Sequence, residues 1–164
     1  NLSAAYMYQG RYREAVQVLQ EAIKLDPKRP SLWCNLGDAY RGTPGLEARA
    51  REAYEEAIKL ASDLVAVNPK DADALADLAL YSAKLERKPD ARAYASKVLR
   101  YAPADNEVLL KCAEAHELAG ERARALELIE RLLRAGFPPE RIQKEPELKL
   151  LRADARFLKL LKVR

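Results

Sequence analysis

Cys34, Cys112 and His116 carry the side chains best suited to nucleophilic catalysis or to binding a soft metal ion. A catalytic nucleophile needs a base beside it, and a zinc ion needs a cluster of nitrogen, sulfur or carboxylate ligands. One histidine and two cysteines far apart along the chain meet neither requirement, and no catalytic signature surrounds His116. The sequence therefore predicts no catalytic centre and no metal site.

The glycines at positions 42 and 45 are the nearest approach to a phosphate-binding loop. The stretch between them contains Pro44 and lacks the Lys-Ser/Thr pair that such a loop uses to hold phosphate and magnesium. Trp33 and most of the tyrosines recur at helical spacing, which is typical of packing between helices rather than of a cofactor site. We therefore expect no cofactor and no enzymatic activity.

The charged residues exclude further classes. The 29 basic and 25 acidic side chains are interleaved along almost the whole length, so the net charge of +4 does not by itself indicate a nucleic-acid-binding protein. No stretch approaches the roughly 18 uninterrupted apolar residues of a membrane span. The cysteines are too remote from each other for a disulfide, which favours a reducing, cytoplasmic location. We expect neither a membrane nor a nucleic acid as partner.

Helices must position whatever surface this chain presents. Apolar residues recur three and four positions apart, as in Ala50, Tyr54, Ala57 and Ile58, which is the period of one helix face. Pro69 and Pro103 are 34 residues apart, and each follows an apolar helical stretch. This spacing predicts a tandem array of helix pairs.

One repeat is longer than the others. The interval between Pro27 and Pro69 is 42 residues, so this repeat holds eight extra residues. We place one in the turn 41–45 and seven in a second helix that runs from Leu46 to Val67. Seven residues are two helical turns, which return the apolar stripe to nearly the same side of the helix. The long helix is therefore expected to stay docked and to project beyond its neighbours.

The run from Trp33 to Tyr40 matches the Trp, Leu, Gly and Tyr positions in the first helix of the tetratricopeptide repeat family, which the sequence resembles. Small side chains stand where paired helices of this family cross closely: Ser3, Gly37, Ala79 and Ala113 on the first helices, and Ala15, Ala50, Ala91 and Ala125 on the second. The resemblance implies an all-α, right-handed superhelical solenoid of helix-turn-helix units with a C-terminal capping segment. Similar arrays end many bacterial multidomain signalling proteins, including serine/threonine kinases and transcriptional regulators.

We divide the sequence into five segments of one continuous domain over residues 1–164. They are a truncated repeat (1–27), a repeat with an extended second helix (28–69), a full repeat (70–103), a degenerate repeat (104–137) and a C-terminal helical cap (138–164). The last repeat is degenerate because Cys112 and His116 replace its usual packing residues. The first repeat begins inside a helix, so we expect the chain to be the C-terminal part of a larger protein.

The resemblance also implies that the first helices line a concave groove for a partner peptide. The groove residues that it implies are Cys34, Asn35, Asp38, Arg41, Asp73, Asp77, Leu80, Lys84, Leu110, Lys111, Glu114 and Glu117. With Glu107, this surface would carry six acids against three bases, which favours a basic peptide over an acidic one. Alternatively, these carboxylates form only a solvated helix face.

Two of these acids bear on one class of partner. Asp73 and Asp77 occupy the sites where relatives that grip acidic C-terminal peptides need Lys and Arg. We therefore expect that a peptide ending in acidic residues does not bind in the groove.

The tail from Arg141 to Arg164 carries eight bases against three acids. These bases could contact nucleic acid. We favour the alternative that they form the wet side of a cap helix, whose other side carries Leu148, Leu151, Phe157, Leu160 and Leu161.

Taken together, these patterns predict a non-catalytic protein-interaction scaffold. The alternative is a structural spacer or a self-association module of a bacterial kinase or regulator, in which the uncapped N-terminal helix pairs with that of a second copy.

Overall fold

The computed structural model describes residues 2–102 and 105–162, and these are organised as consecutive helices joined by short turns. Pro103 and Arg164, both used in the sequence analysis, lie outside the described residues, as does Asn1. The helices are α1 (Leu2–Tyr8), α2 (Tyr12–Leu25), α3 (Pro30–Arg41), α4 (Glu47–Val67), α5 (Ala72–Lys84), α6 (Lys88–Tyr101), α7 (Asn106–Leu118), α8 (Arg122–Arg134), α9 (Pro139–Lys144) and α10 (Ala155–Lys162), with a 3₁₀ stretch at Pro146–Ala153. The predicted all-α fold of helix pairs is confirmed.

The chain forms two compact units, which we call unit 1 (Asn1–Pro69) and unit 2 (Lys70–Arg164). In unit 1, α1 pairs with α2 and α3 pairs with α4, while α2 also packs on α3. The first pair closes over Ser3 and Ala15, which are 4% and 0% exposed. The predicted small residues therefore lie at the helix contacts of this unit.

Gly37 shows why the second pair of unit 1 needs a small side chain. A Cβ atom at this position would lie 2.6 Å from Cε1 of Tyr54, well inside van der Waals contact. The Tyr54 ring fills this space and is itself buried on α4, at 2% exposed. Its hydroxyl donates a hydrogen bond of 2.6 Å to Oδ1 of Asp38 on α3. One missing side chain thus lets α3 and α4 approach and be bonded together.

Helix α4 of unit 1 is the long helix that the sequence predicts for residues 46–67. Helix α4 has 21 residues, against 14 in α2 and 12 in α3. Its buried side chains keep a three- and four-residue spacing through the added turns, from Ala50 to Ala61. Leu64 and Val67, in the last turns of α4, are 45% and 88% exposed.

Unit 2 repeats the arrangement. Helix α5 pairs with α6, α7 pairs with α8, and α5 also packs directly on α7. Its predicted small residues are buried: Ala79, Ala91, Ala113 and Ala125 are each no more than 1% exposed. Asp71 and Asp105 cap α5 and α7, since their carboxylates accept hydrogen bonds from backbone N–H groups in the first turn.

The turns within the two pairs of unit 2 share one backbone conformation. Gly120 has a φ of 83°, and Glu86, one 34-residue period earlier, has a φ of 60°. Residues other than glycine rarely adopt this left-handed region, because the Cβ atom approaches the backbone. The position in the repeat therefore fixes the turn even where the residue type disfavours it.

The C-terminal segment packs on the last helix pair. The 3₁₀ stretch contacts α7, and α10 contacts α8. Ile142, Leu148, Leu151 and Phe157 are each no more than 1% exposed, so this segment contributes some of the best-buried side chains of unit 2. The predicted cap residues Leu160 and Leu161 are only half-buried.

Candidate binding surface

In unit 1, the predicted groove residues stand on α3. Cys34 is buried, whereas Asn35 is half-buried and Arg41 is exposed. Asp38 accepts hydrogen bonds from Tyr54 on α4 and from Nη2 of Arg41 at 3.2 Å, so its carboxylate is already engaged within the unit. The Arg41 guanidinium also lies 5.8 Å from the centre of the Tyr54 ring. Asn35 and Arg41 are therefore the side chains of this set that a partner can reach most directly.

In unit 2, α5 and α7 bring the remaining predicted residues together. We call the surface formed by Asp73, Asp77, Leu80 and Lys84 on α5 and by Leu110, Lys111, Glu114 and Glu117 on α7 the α5–α7 face. Lys111 links the two helices, because its ammonium group lies 3.2 Å from Asp73 and 2.7 Å from Asp77. Burial raises the pKa of Asp77, and the positive charge of Lys111 opposes that shift.

Half of the twelve predicted groove residues do not lie on an open surface. The side chains of Cys34, Leu80, Leu110, Glu114 and Glu117 are buried, and that of Lys84 is only 3% exposed. Glu117 accepts hydrogen bonds from Arg122 at the start of α8, at 2.5 Å from Nη2. The repeat pattern gives the helix on which each residue lies, but contacts with later parts of the chain decide whether it is accessible.

Lys84 is covered by the C-terminal segment. Its ammonium group donates a hydrogen bond of 2.5 Å to Oε1 of Glu147 in the 3₁₀ stretch, whose side chain is 8% exposed. A second contact holds the same segment, since the guanidinium of Arg141 on α9 donates to both carboxylate oxygens of Glu107 on α7. The segment therefore lies on α7 and reaches α5.

Carboxylates crowd this contact. Glu114 of α7 is 6% exposed, and burial raises its pKa well above the ordinary value, with the charges of Glu147 and Glu145 acting in the same direction. Burial also raises the pKa of Glu145, again reinforced by Glu147. Lys84, together with Lys111 and Arg141, compensates this locally acidic environment.

Sequence reasoning missed Arg141, Glu145 and Glu147 as parts of this surface and counted them only as charges of the cap. Glu147 lies 63 residues from Lys84, and the segment that carries it is not a further repeat. The periodicity of apolar residues does not predict such a contact. It shows which side of a helix is buried, but not where an irregular segment runs.

The described residues contain no group of three or more His, Cys, Asp or Glu side chains arranged to hold a metal ion. His116 is buried, and its Nδ1 lies 2.8 Å from Oε2 of Glu121, which also binds Arg92. Burial raises the pKa of the Cys112 thiol to about 12, which keeps it protonated and unreactive. No helix in the described ranges is both long enough and apolar enough to cross a membrane.

Consecutive helix pairs with small residues at their crossings define a helical-repeat protein. A TPR repeat profile matches residues 4–42, and a tetratricopeptide repeat profile matches residues 43–107 and 77–141. The chain belongs to the tetratricopeptide repeat family. Its resemblance to the arrays of bacterial kinases and regulators stays a prediction.

Solved structures share this fold at low sequence identity. A thermophilic TPR protein of Thermus thermophilus has a TM-score of 0.56 and 20% identity, over 98% of this chain and 78% of that one. A putative kinesin light chain of Podosopora anserina with nearly identical TPR-like repeats has a TM-score of 0.51 and 17% identity, over 98% and 88% of the two chains. No curated protein sequence matches the chain. These likenesses establish the fold alone.

Proposed function

We propose that this protein is a non-catalytic interaction module that binds a peptide or protein segment through the first helices of its repeats. Tetratricopeptide repeats are in general protein-interaction scaffolds. The observation that carries the proposal is the contrast between the two sides of each helix pair. Small residues such as Gly37 and Ala79 are buried where the helices cross, whereas Asn35, Arg41 and Asp73 leave polar groups accessible on the first helices.

The charge of the partner follows from the exposed groups. Asp73 and Glu107 have side chains that are 72% and 56% exposed, and a basic peptide can compete with Lys111 and Arg141 for them. The pair between Asp73 and Lys111 is weak, since solvent screens it, so exchanging one base for another at Asp73 costs little. We therefore keep a basic peptide as the preferred ligand of these two carboxylates.

Selection from a random peptide library on the immobilised chain tests the proposal. The affinity of enriched peptides is then measured by calorimetry for the wild type, Arg41→Ala, Asp73→Ala and a matched control, Arg51→Ala, on α4. At least one of Arg41→Ala and Asp73→Ala should weaken the binding of each peptide about tenfold, which is about 1.4 kcal/mol. The control Arg51→Ala should leave the affinity unchanged. Failure to enrich any peptide, or equal effects of Arg41→Ala and Arg51→Ala together with no effect of Asp73→Ala, would contradict it.

Acidic C-terminal peptides provide a second discrimination. A peptide ending in acidic residues should not bind, because Asp73 and Asp77 would repel its carboxylates. Micromolar binding that Asp73→Lys weakens would show that this interpretation of the surface is wrong.

Self-association is the second candidate, and an observation on α1 favours it. Leu2 and Tyr8 are 57% and 66% exposed on this seven-residue helix, so they offer two large side chains for contact with a second copy. Light scattering over a wide concentration range separates the two functions, because a strict monomer at high concentration argues against dimerisation. The cytoplasmic location and the connection to a larger bacterial protein stay predictions from the sequence.

A further inference from the structure

We propose that the segment from Arg141 to Leu148 is an intramolecular ligand of the α5–α7 face. An external partner for this face is then a peptide with a basic residue followed, six positions later, by an acidic residue and an apolar one. The inference rests on the proposed function, since it assumes that the α5–α7 face is a binding surface. It goes further because it names the peptide sequence pattern that the surface binds. It also names the segment of the chain that a partner must displace.

The first anchor is a buried ion pair between different elements. Lys84 stands in the last turn of α5, and its ammonium group lies 2.5 Å from Oε1 of Glu147, with side chains only 3% and 8% exposed. Removing both charges from water is costly, so such a pair persists only where the surrounding geometry holds the two groups together. Lys84 therefore acts as a receptor group for one carboxylate.

The second anchor is the contact with Glu107, which lies beside the α5–α7 face in the first turn of α7. Arg141 of α9 donates from both terminal nitrogens to the two carboxylate oxygens of Glu107, in the first turn of α7. This fork-shaped arrangement fixes direction as well as distance. A basic group at one end and an acidic group at the other thus set the register of the segment across α7 and α5.

An apolar residue completes the pattern. Leu148 follows Glu147 directly and is 1% exposed, whereas Pro146 and Lys149 on either side of these two are exposed. The 3₁₀ stretch that carries Leu148 contacts α7 as well as α9 and α10, so a segment that replaces it on α7 must also bury an apolar side chain. This requirement adds the third element of the recognition pattern.

The resident segment is a suboptimal ligand. Glu145 and Glu147 place two carboxylates two residues apart in the segment, and Lys84 directly contacts Glu147. Like charges in a water-poor site repel each other strongly. A peptide that keeps the carboxylate of position 147 and has a neutral residue at position 145 should therefore bind the face more tightly than the native sequence does.

The test uses the full chain and a labelled synthetic peptide with the sequence of residues 139–150. Fluorescence anisotropy measures its binding to the wild type, to Arg141→Ala/Glu147→Ala and to a matched control, Glu140→Ala/Arg152→Ala. The first variant loses both anchors of the resident segment but keeps Lys84 and Glu107. The control removes the same residue types from two exposed positions of the same region.

The peptide should bind the anchor-deficient variant at least tenfold more tightly than the wild type and the control. Adding Lys84→Gln to that variant should weaken binding at least tenfold, as should Gln in place of Glu147 in the peptide. Equal affinity for the wild type, the control and the anchor-deficient variant, including no binding to any of them, would overturn the proposal and leave a purely structural cap.

Amide hydrogen exchange supplies a measurement that does not depend on the anchor-deficient variant being folded. In the full chain, Lys84→Gln should accelerate exchange in residues 143–150 at least tenfold relative to the wild type, and unchanged exchange would contradict the inference. Neither measurement uses an external partner. Failure of peptide selection on every variant would therefore count against the proposed function, and failure of these two measurements against the intramolecular ligand.

Discussion

Glu114 is a buried acid whose protonation makes the stability of unit 2 depend on pH. It is 6% exposed on α7, and burial raises its pKa well above the ordinary value of 4.5, with Glu147 and Glu145 adding to the shift. The folded state therefore holds the Glu114 proton more tightly than the unfolded state does. Its contribution to stability is full when the pH is below the pKa that Glu114 has in the unfolded chain. It is lost as the pH rises through the higher pKa that Glu114 has in the folded chain.

Glu114→Gln removes this loss. At neutral pH the variant should melt a few degrees above the wild type, because the amide needs no ionisation in a buried site. The difference should shrink towards zero near pH 4, where Glu114 is protonated in both states. Thermal melts followed by circular dichroism across this range provide the measurement. Glu127→Gln, an exposed change on α8, is the control, and a difference that does not vary with pH would contradict the assignment.

At the scale of elements, the crossing of each helix pair depends on one small side chain from either helix. Ala91 is 1% exposed on α6, and Ala79 on α5 is 0% exposed. Such contacts tolerate no added volume, since the backbones already lie as close as the side chains permit. The exposed face of the same helix has no such restriction.

Ala91→Leu should therefore destabilise unit 2 by about 1–3 kcal/mol or more, because the added atoms must separate α5 from α6. Ala93→Leu makes the same change two residues away, at an exposed position of α6, and should shift stability by less than about 0.5 kcal/mol. Urea denaturation of both variants measures the difference. Equal effects at the two positions would show that the small residue is not required for packing.

Repetition made the elements predictable. The eight small positions and the long α4 follow from local signals that are tied to the helical period or to the 34-residue repeat. The C-terminal segment has no such repeat. Its hydrophobic residues Leu148, Leu151 and Phe157 indicate that it packs, but nothing in their spacing shows that Glu147 reaches Lys84. The fold was therefore readable from the sequence, whereas the accessibility of the candidate surface was not.

For the whole molecule, the positive net charge is less informative than the way in which the charges are paired. Two bases of the C-terminal region are engaged by acids of the same chain: Arg141 by Glu107, and Arg156 by Asp154. Helical pairs such as Arg11 with Glu14 continue this pattern in unit 1. Bases that are already compensated attract phosphates weakly, because few counterions remain to be released on binding.

We accordingly expect weak, non-specific binding to nucleic acids at low salt and none at physiological salt. Fluorescence anisotropy with duplex and single-stranded oligonucleotides, over a series of salt concentrations, tests this expectation. Binding that persists at physiological salt and that discriminates between probe sequences would contradict it and would revive the basic tail as a nucleic-acid contact.

The contact between Glu147 and Lys84 has a quantitative consequence for any molecule that uses the α5–α7 face. A ligand tethered through a short connection acts at an effective concentration on the order of millimolar. A free peptide of the same intrinsic affinity would fill half of the sites only near that concentration. A partner present at about micromolar levels must therefore bind the bare face roughly a thousandfold more tightly than the resident segment does. The tether would act as a threshold, so that weak and incidental ligands are excluded by the chain itself.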